Sequence, residues 1–134
     1  MRFTHLMLFS GGIMHRENRE ISKIDKDIKS AGQTFLGFRM EDLLLRADEL
    51  DNKELKKQLI MEYFKYQIGT FDLKISGTNT RVNSAIRIIK ADKVLYALKK
   101  IDGSNPKVVP DAVLKAKDTI RKIECGELAL PNLE

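Results

Sequence analysis

Apolar positions along the chain fall into short stretches with two different periods. Residues 2–9 (RFTHLMLF) form an apolar, β-favouring run stopped by Ser10-Gly11-Gly12, which predicts a buried first strand. From there Met14, Glu17, Ile21, Ile24, Ile28 and Ala31 recur at three- and four-residue steps with charged flanks. That spacing predicts an amphipathic helix, with Gly32 placed to close it in a left-handed cap.

A short apolar link at 34–38 leads to a second helix through Met40, Leu43, Leu44, Ala47 and Leu50. Asp51-Asn52 then marks a break and a cap for a third. The third carries Leu55, Leu59, Ile60, Tyr63, Phe64 and Ile68, a face wide enough to make it the most buried of the helices, and Gly69 stops it.

Phe71-Asp72-Leu73-Lys74-Ile75-Ser76 alternates apolar and polar, as a half-buried strand does, and Gly77-Thr78-Asn79-Thr80 reads as a turn. Residues 81–89 satisfy both periods. Val82, Ser84, Ile86 and Ile88 alternate, whereas Val82, Ala85, Ile86 and Ile89 repeat helically; with no break before Ala91 the balance tips to helix. Val94, Leu95, Leu98 and Ile101 form the next helical face. A loop at 102–106 follows, and a last helix opens on Pro110 and Asp111 and ends at Gly126.

The expected fold is therefore α+β and helix-dominated, with about five helices and a small two- or three-stranded sheet. A single domain covers 1–126, and 127–134 form a short apolar tail. At 134 residues the chain is long enough to bury a core without staples. One cysteine, Cys125, precludes an intrachain disulfide and fits a reducing, cytoplasmic setting, and no apolar run is long enough to span a bilayer.

Charge changes the picture more than composition does. Residues 1–64 hold 11 basic and 11 acidic side chains, whereas residues 65–122 hold 13 basic and 5 acidic. A basic second half points to an anionic partner, nucleic acid or a phosphorylated nucleotide. The candidate anion site is the 76–81 loop, where Thr78, Asn79 and Thr80 offer short hydrogen-bonding groups, Thr80 a helix N-cap and Arg81 a planar fork suited to phosphate. Arg87, Lys90, Lys93, Lys115 and Lys122 extend it along the later helices.

A weaker phosphate turn is Ser10, Gly11 and Gly12, where a strand end meets a helix start. These three residues resemble the opening of the PP-loop ATP pyrophosphatases, whose motif runs Ser-Gly-Gly-x-Asp-Ser. Here Met14 and His15 stand at the Asp and Ser positions, so the metal-facing acid and a phosphate-contacting hydroxyl are missing. The resemblance implies an adenylating, nucleotide-using enzyme.

The other candidate chemistry is sparse. His5, His15 and Cys125 do not make a zinc set, so no metal and no cofactor are expected. The acids Glu41, Asp42, Asp48, Glu49 and Asp51 lie on polar helix faces, and Cys125 follows a helix C-terminus, where a thiolate is disfavoured.

The leading expectation is a small non-enzymatic intracellular binding or regulatory protein that docks on another protein or on its own copies. Leu128, Leu130 and Leu133 of the tail are the apolar surplus that motivates it. The alternatives are a binder of nucleic acid or nucleotide through the basic second half and a small nucleotide-using enzyme at Ser10-Gly11-Gly12.

Overall fold

A computed structural model describes residues 19–101 and 103–133. Among them there is no strand, and the expected α+β class gives way to an all-helical body. Helix α1 is described over 19–31, followed by α2 (Gln33–Leu45), α3 (Ala47–Leu50), α4 (Lys53–Lys65), α5 (Ile75–Lys90), α6 (Val94–Lys99) and α7 (Pro110–Glu124). The strand expected at 2–9 and the Ser10-Gly11-Gly12 turn lie outside the described residues.

The core forms where helical stripes converge. Ile24, Ile28 and Ala31 of α1 meet Phe35, Leu36, Met40, Leu43 and Leu44 of α2; Leu59, Ile60 and Tyr63 come from α4, and Ala112, Val113 and Ala116 from α7. The pairing of α2 with α7 is the most extensive, α4 packs on α5, and α6 packs on α7. Gly32, with φ of 88°, breaks α1 from α2, and its amide donates to the Ile28 carbonyl (2.8 Å). The expected apolar link at 34–38 is thus the first turns of α2. Asn52 caps α4, its side-chain oxygen accepting from the Leu55 amide at 3.0 Å.

Two further readings are corrected. Helix α4 is not the most buried: Leu55 and Ile68 of the expected stripe are exposed, as are Met61 and Tyr66 beside it. Helix α2 is more enclosed, with Leu45 its one exposed residue, and α5 is enclosed along its second half, where it buries Val82, Ser84, Ala85, Ile86, Ile88 and Ile89. A helix enclosed on more than one side has apolar residues at two- as well as three- and four-residue steps, and this is why 81–89 satisfies both periods. Finally, two of the three tail leucines are not surplus: Leu128 and Leu133 are buried in the main core, while Leu130 is exposed.

The strand expected at 71–76 fails for a specific reason. Its alternation is real but inverted with respect to the protein. Phe71 and Leu73 are 88% and 95% exposed, while the Asp72 side chain is only 11% exposed. The Asp72 backbone is held by a side chain instead of a neighbouring strand: its amide donates to Gln67 Oε1 (2.6 Å), and Gln67 Nε2 donates to its carbonyl (3.0 Å). With those groups satisfied locally, no sheet is needed. The chain turns into α5 at Ile75, so the expected turn at 77–80 is helical.

Candidate binding surfaces

The loop read as an anion site is built inward. Thr78 is buried and its hydroxyl donates to Asp72 Oδ2 at 2.9 Å. Thr80 does not cap a helix; it lies in the second turn of α5 and its hydroxyl donates to the Ser76 carbonyl at 3.0 Å. Asn79 is exposed, on the side of α5 that faces α4. Arg81 donates from Nε to both Asp72 oxygens (3.2 and 3.0 Å) and from Nη1 to the Ala31 carbonyl at 2.7 Å. Asp72 therefore matches the Arg81 charge, and the guanidinium ties the end of α1 to the start of α5.

The rest of the basic set does not converge. Arg87 pairs with Asp27 at 2.9 Å. Lys115 and Lys122 both grip Glu41, at 2.7 and 3.1 Å, and so fasten α7 to α2. Lys90 is exposed at the end of α5, and Lys93 sits just before α6. The excess charge counted along the second half is thus partly cancelled in space by acids of the first half, Asp27 and Glu41.

The lysine hydrogen bonds hold the Glu41 carboxyl below its usual range, Lys115 contributing most, against the opposing effect of its burial. A carboxyl depressed on folding contributes stability above its unfolded pKa, and that contribution is lost as pH falls through the folded value. Wild-type melting temperature should therefore drop between pH 5 and pH 3. Glu41→Gln should cost about 1 kcal/mol at pH 7 and melt closer to wild type at pH 3. Thermal denaturation of both at the two pH values measures this, and an equal gap at each pH would contradict it.

A second charged cluster is also a strut. Arg46 donates to Glu49 and Glu62 (both 2.8 Å at closest) and lies 3.3 Å from Asp42, while the Tyr63 hydroxyl donates to Asp42. Burial, and after it the Asp42 carboxylate, push the Tyr63 phenol well above its ordinary value, so it stays protonated. Among the described residues, no buried side-chain nitrogen or oxygen lacks a hydrogen-bond partner, and no group of three His, Cys, Asp or Glu side chains is placed to hold a metal ion. His5 and His15 lie outside the described residues.

Two surfaces remain that no internal contact explains. One is apolar. Met61 (53% exposed), Tyr66, Ile68, Phe71, Leu73 and Ile75 lie uncovered along the outer side of α4, the 66–74 segment and the first residue of α5. Two shallow grooves there meet at Met61 and Ile75. One runs past Lys53, Lys56, Lys57 and Ile60, and the other past Phe64, Lys65 and Tyr66. The sequence pattern assigns Ile68 to a helix face and Phe71, Leu73 and Ile75 to a strand, and leaves Met61 and Tyr66 out of both, so this exposure is not read from periodicity.

The other surface is a cleft of about 810 Å³ where the α1–α2 junction, the Gly69–Phe71 segment, α5 and the loop before α7 meet. Lys29, Arg81, Lys100 and Lys107 line it. Of these only Arg81 belonged to the expected anion site, because the others are far apart in sequence.

Among the described residues, no helix is long and apolar enough to cross a membrane. In comparison with known proteins, no family model, no curated protein and no solved structure matches this chain.

Proposed function

We propose that the chain is a non-enzymatic binding protein that docks another protein on the apolar face of α4 and the start of α5. The observation that carries this reading is the exposure of Met61, Tyr66 and Ile75 around two grooves that share Met61 and Ile75. Scattered surface apolar residues are ordinary, but a run of large ones around two joined grooves is the signature of an interaction surface.

The rim selects the partner. Lys53, Lys56, Lys57 and Lys65 border the grooves, against Glu54 and Glu62, and Glu62 is engaged by Arg46. A complementary partner has an apolar stripe flanked by acids, as an amphipathic acidic helix does. A second copy of this chain fits less well, because a two-fold interface would set the lysine rim against itself. The exposed thiol of Cys125 agrees with a reducing compartment, and the reading places the protein in the cytoplasm.

Fluorescence anisotropy with roughly five-turn amphipathic peptides tests it. All peptides share a Leu/Met stripe and differ in having acidic or basic polar faces. The acidic set should bind, and Met61→Glu or Ile75→Glu should each weaken binding about tenfold, equivalent to about 1.4 kcal/mol. Both positions are exposed, and an acid at the first residue of α5 suits the helix N-terminus, so the fold is retained. Equal binding of the basic set, indifference to both substitutions, or self-association abolished by Ile75→Glu would each overturn the reading.

A further inference from the structure

The basic cleft gathers cations from four separate parts of the fold. Elsewhere Arg46, Arg87, Lys99, Lys115, Arg121 and Lys122 each sit in an ion pair. In the cleft, among the described residues, Arg81 is matched by Asp72, while Lys29, Lys100 and Lys107 form no ion pair, although the Lys100 ammonium lies over the Tyr96 ring, 5.1 Å from its centroid. The acid on the wall, Asp25, accepts the Tyr96 hydroxyl at 2.8 Å. Its carboxylate offsets one charge, but the cations brought together from α1, α5, the end of α6 and the loop before α7 outnumber it and repel one another.

The cleft walls add two features. Its floor includes Gly32 and Thr34, at the N-terminal end of α2. Gly32 caps that helix without a side chain and no acid occupies the first turn, so the positive end of the helix dipole faces the same space. Phe71 lines the cleft at its rim, 88% exposed. The volume, about 810 Å³, is many times that of a phosphate and lies in the range of small-molecule sites.

We infer that this cleft binds a nucleotide, with its phosphate among Lys29, Lys100 and Lys107 and its base against the Phe71 ring. An uncovered aromatic beside a basic groove is the arrangement that recognises nucleotide units, the ring supplying a stacking platform and the cations holding the backbone. Arg81 is a fixed wall, not the principal phosphate ligand. The nucleotide is either free or part of a single strand, because both present the same base and phosphate.

The test titrates the full chain with inorganic pyrophosphate, a panel of mononucleotides and a labelled single-stranded oligonucleotide, at low and moderate salt. Nucleotide binding should weaken about tenfold in Lys100→Ala/Lys107→Ala. Phe71→Ala should weaken nucleotide binding at least about fivefold and leave pyrophosphate affinity unchanged. A strand bound with a steep salt dependence identifies single-stranded nucleic acid as the source, and mononucleotides bound with a shallow one identify the free ligand. Absence of nucleotide binding, or binding indifferent to the lysine pair or to Phe71, overturns the inference. Ile75→Glu, outside the cleft, should leave nucleotide affinity at the wild-type value, which separates this result from the fate of the docking face. Circular dichroism of each variant verifies the helical fold.

Discussion

Gly37→Val should destabilise the protein by about 2–4 kcal/mol. Gly37 sits in the middle of α2, where glycine costs a helix roughly 1 kcal/mol relative to alanine. Its presence there is explained by α7: a Cβ on Gly37 would lie 2.5 Å from the Ala112 carbonyl oxygen and 3.0 Å from the Ala112 Cβ. The first of those atoms belongs to the backbone of a helix in the protein's most extensive pairing, so it cannot swing aside. Even alanine must push α2 and α7 apart, and valine adds two methyl groups to the same gap. Urea denaturation should show a lower midpoint for Gly37→Ala and a much lower one for Gly37→Val. As a control, Leu114→Ser alters an exposed residue of α7 and should stay within about 0.5 kcal/mol of wild type. A Gly37→Ala midpoint equal to or above wild type would contradict the close approach.

Arg81→Met should cost about 2–3 kcal/mol, through a different mechanism. Methionine keeps much of the apolar stem but removes the donors to Asp72 and to the Ala31 carbonyl. Asp72 then remains largely buried, with the Thr78 hydroxyl as its side-chain partner. Most of the cost is that uncompensated carboxylate, so adding Asp72→Asn to Arg81→Met should recover part of the lost stability. A double-mutant cycle on the two positions isolates the coupling. If Arg81→Met melts with wild type, Arg81 is not a strut, and its expected role as a freely presented phosphate fork is restored.

These two residues also show what sequence reasoning reaches. Gly32, Asn52, Pro110 and Gly126 punctuate the chain as local conformational chemistry dictates, and the helix ends they mark are legible because capping and breaking act over a few residues. Phe71-Asp72-Leu73 misled because alternation reports that two faces differ, not which of them turns inward. The inward turn of Asp72 depends on Thr78 and Arg81, six and nine residues on, and on Ala31 fifty residues before Arg81. Lys115 and Lys122 read as ligand contacts in the sequence because a charge count along the chain does not see Glu41, seventy-four residues before Lys115. Lys29, Lys100 and Lys107 share a cleft only through tertiary packing.

The account rests most heavily on where a partner docks. The decisive measurement is the chemical-shift map of the isotopically labelled full chain titrated with the acidic amphipathic peptide. The docking account predicts perturbations concentrated on residues 53–79, largest at Met61, Leu73 and Ile75, with α7 and the core of α2 unmoved. Perturbations centred on α7 or the tail, or none at saturating peptide, would contradict it.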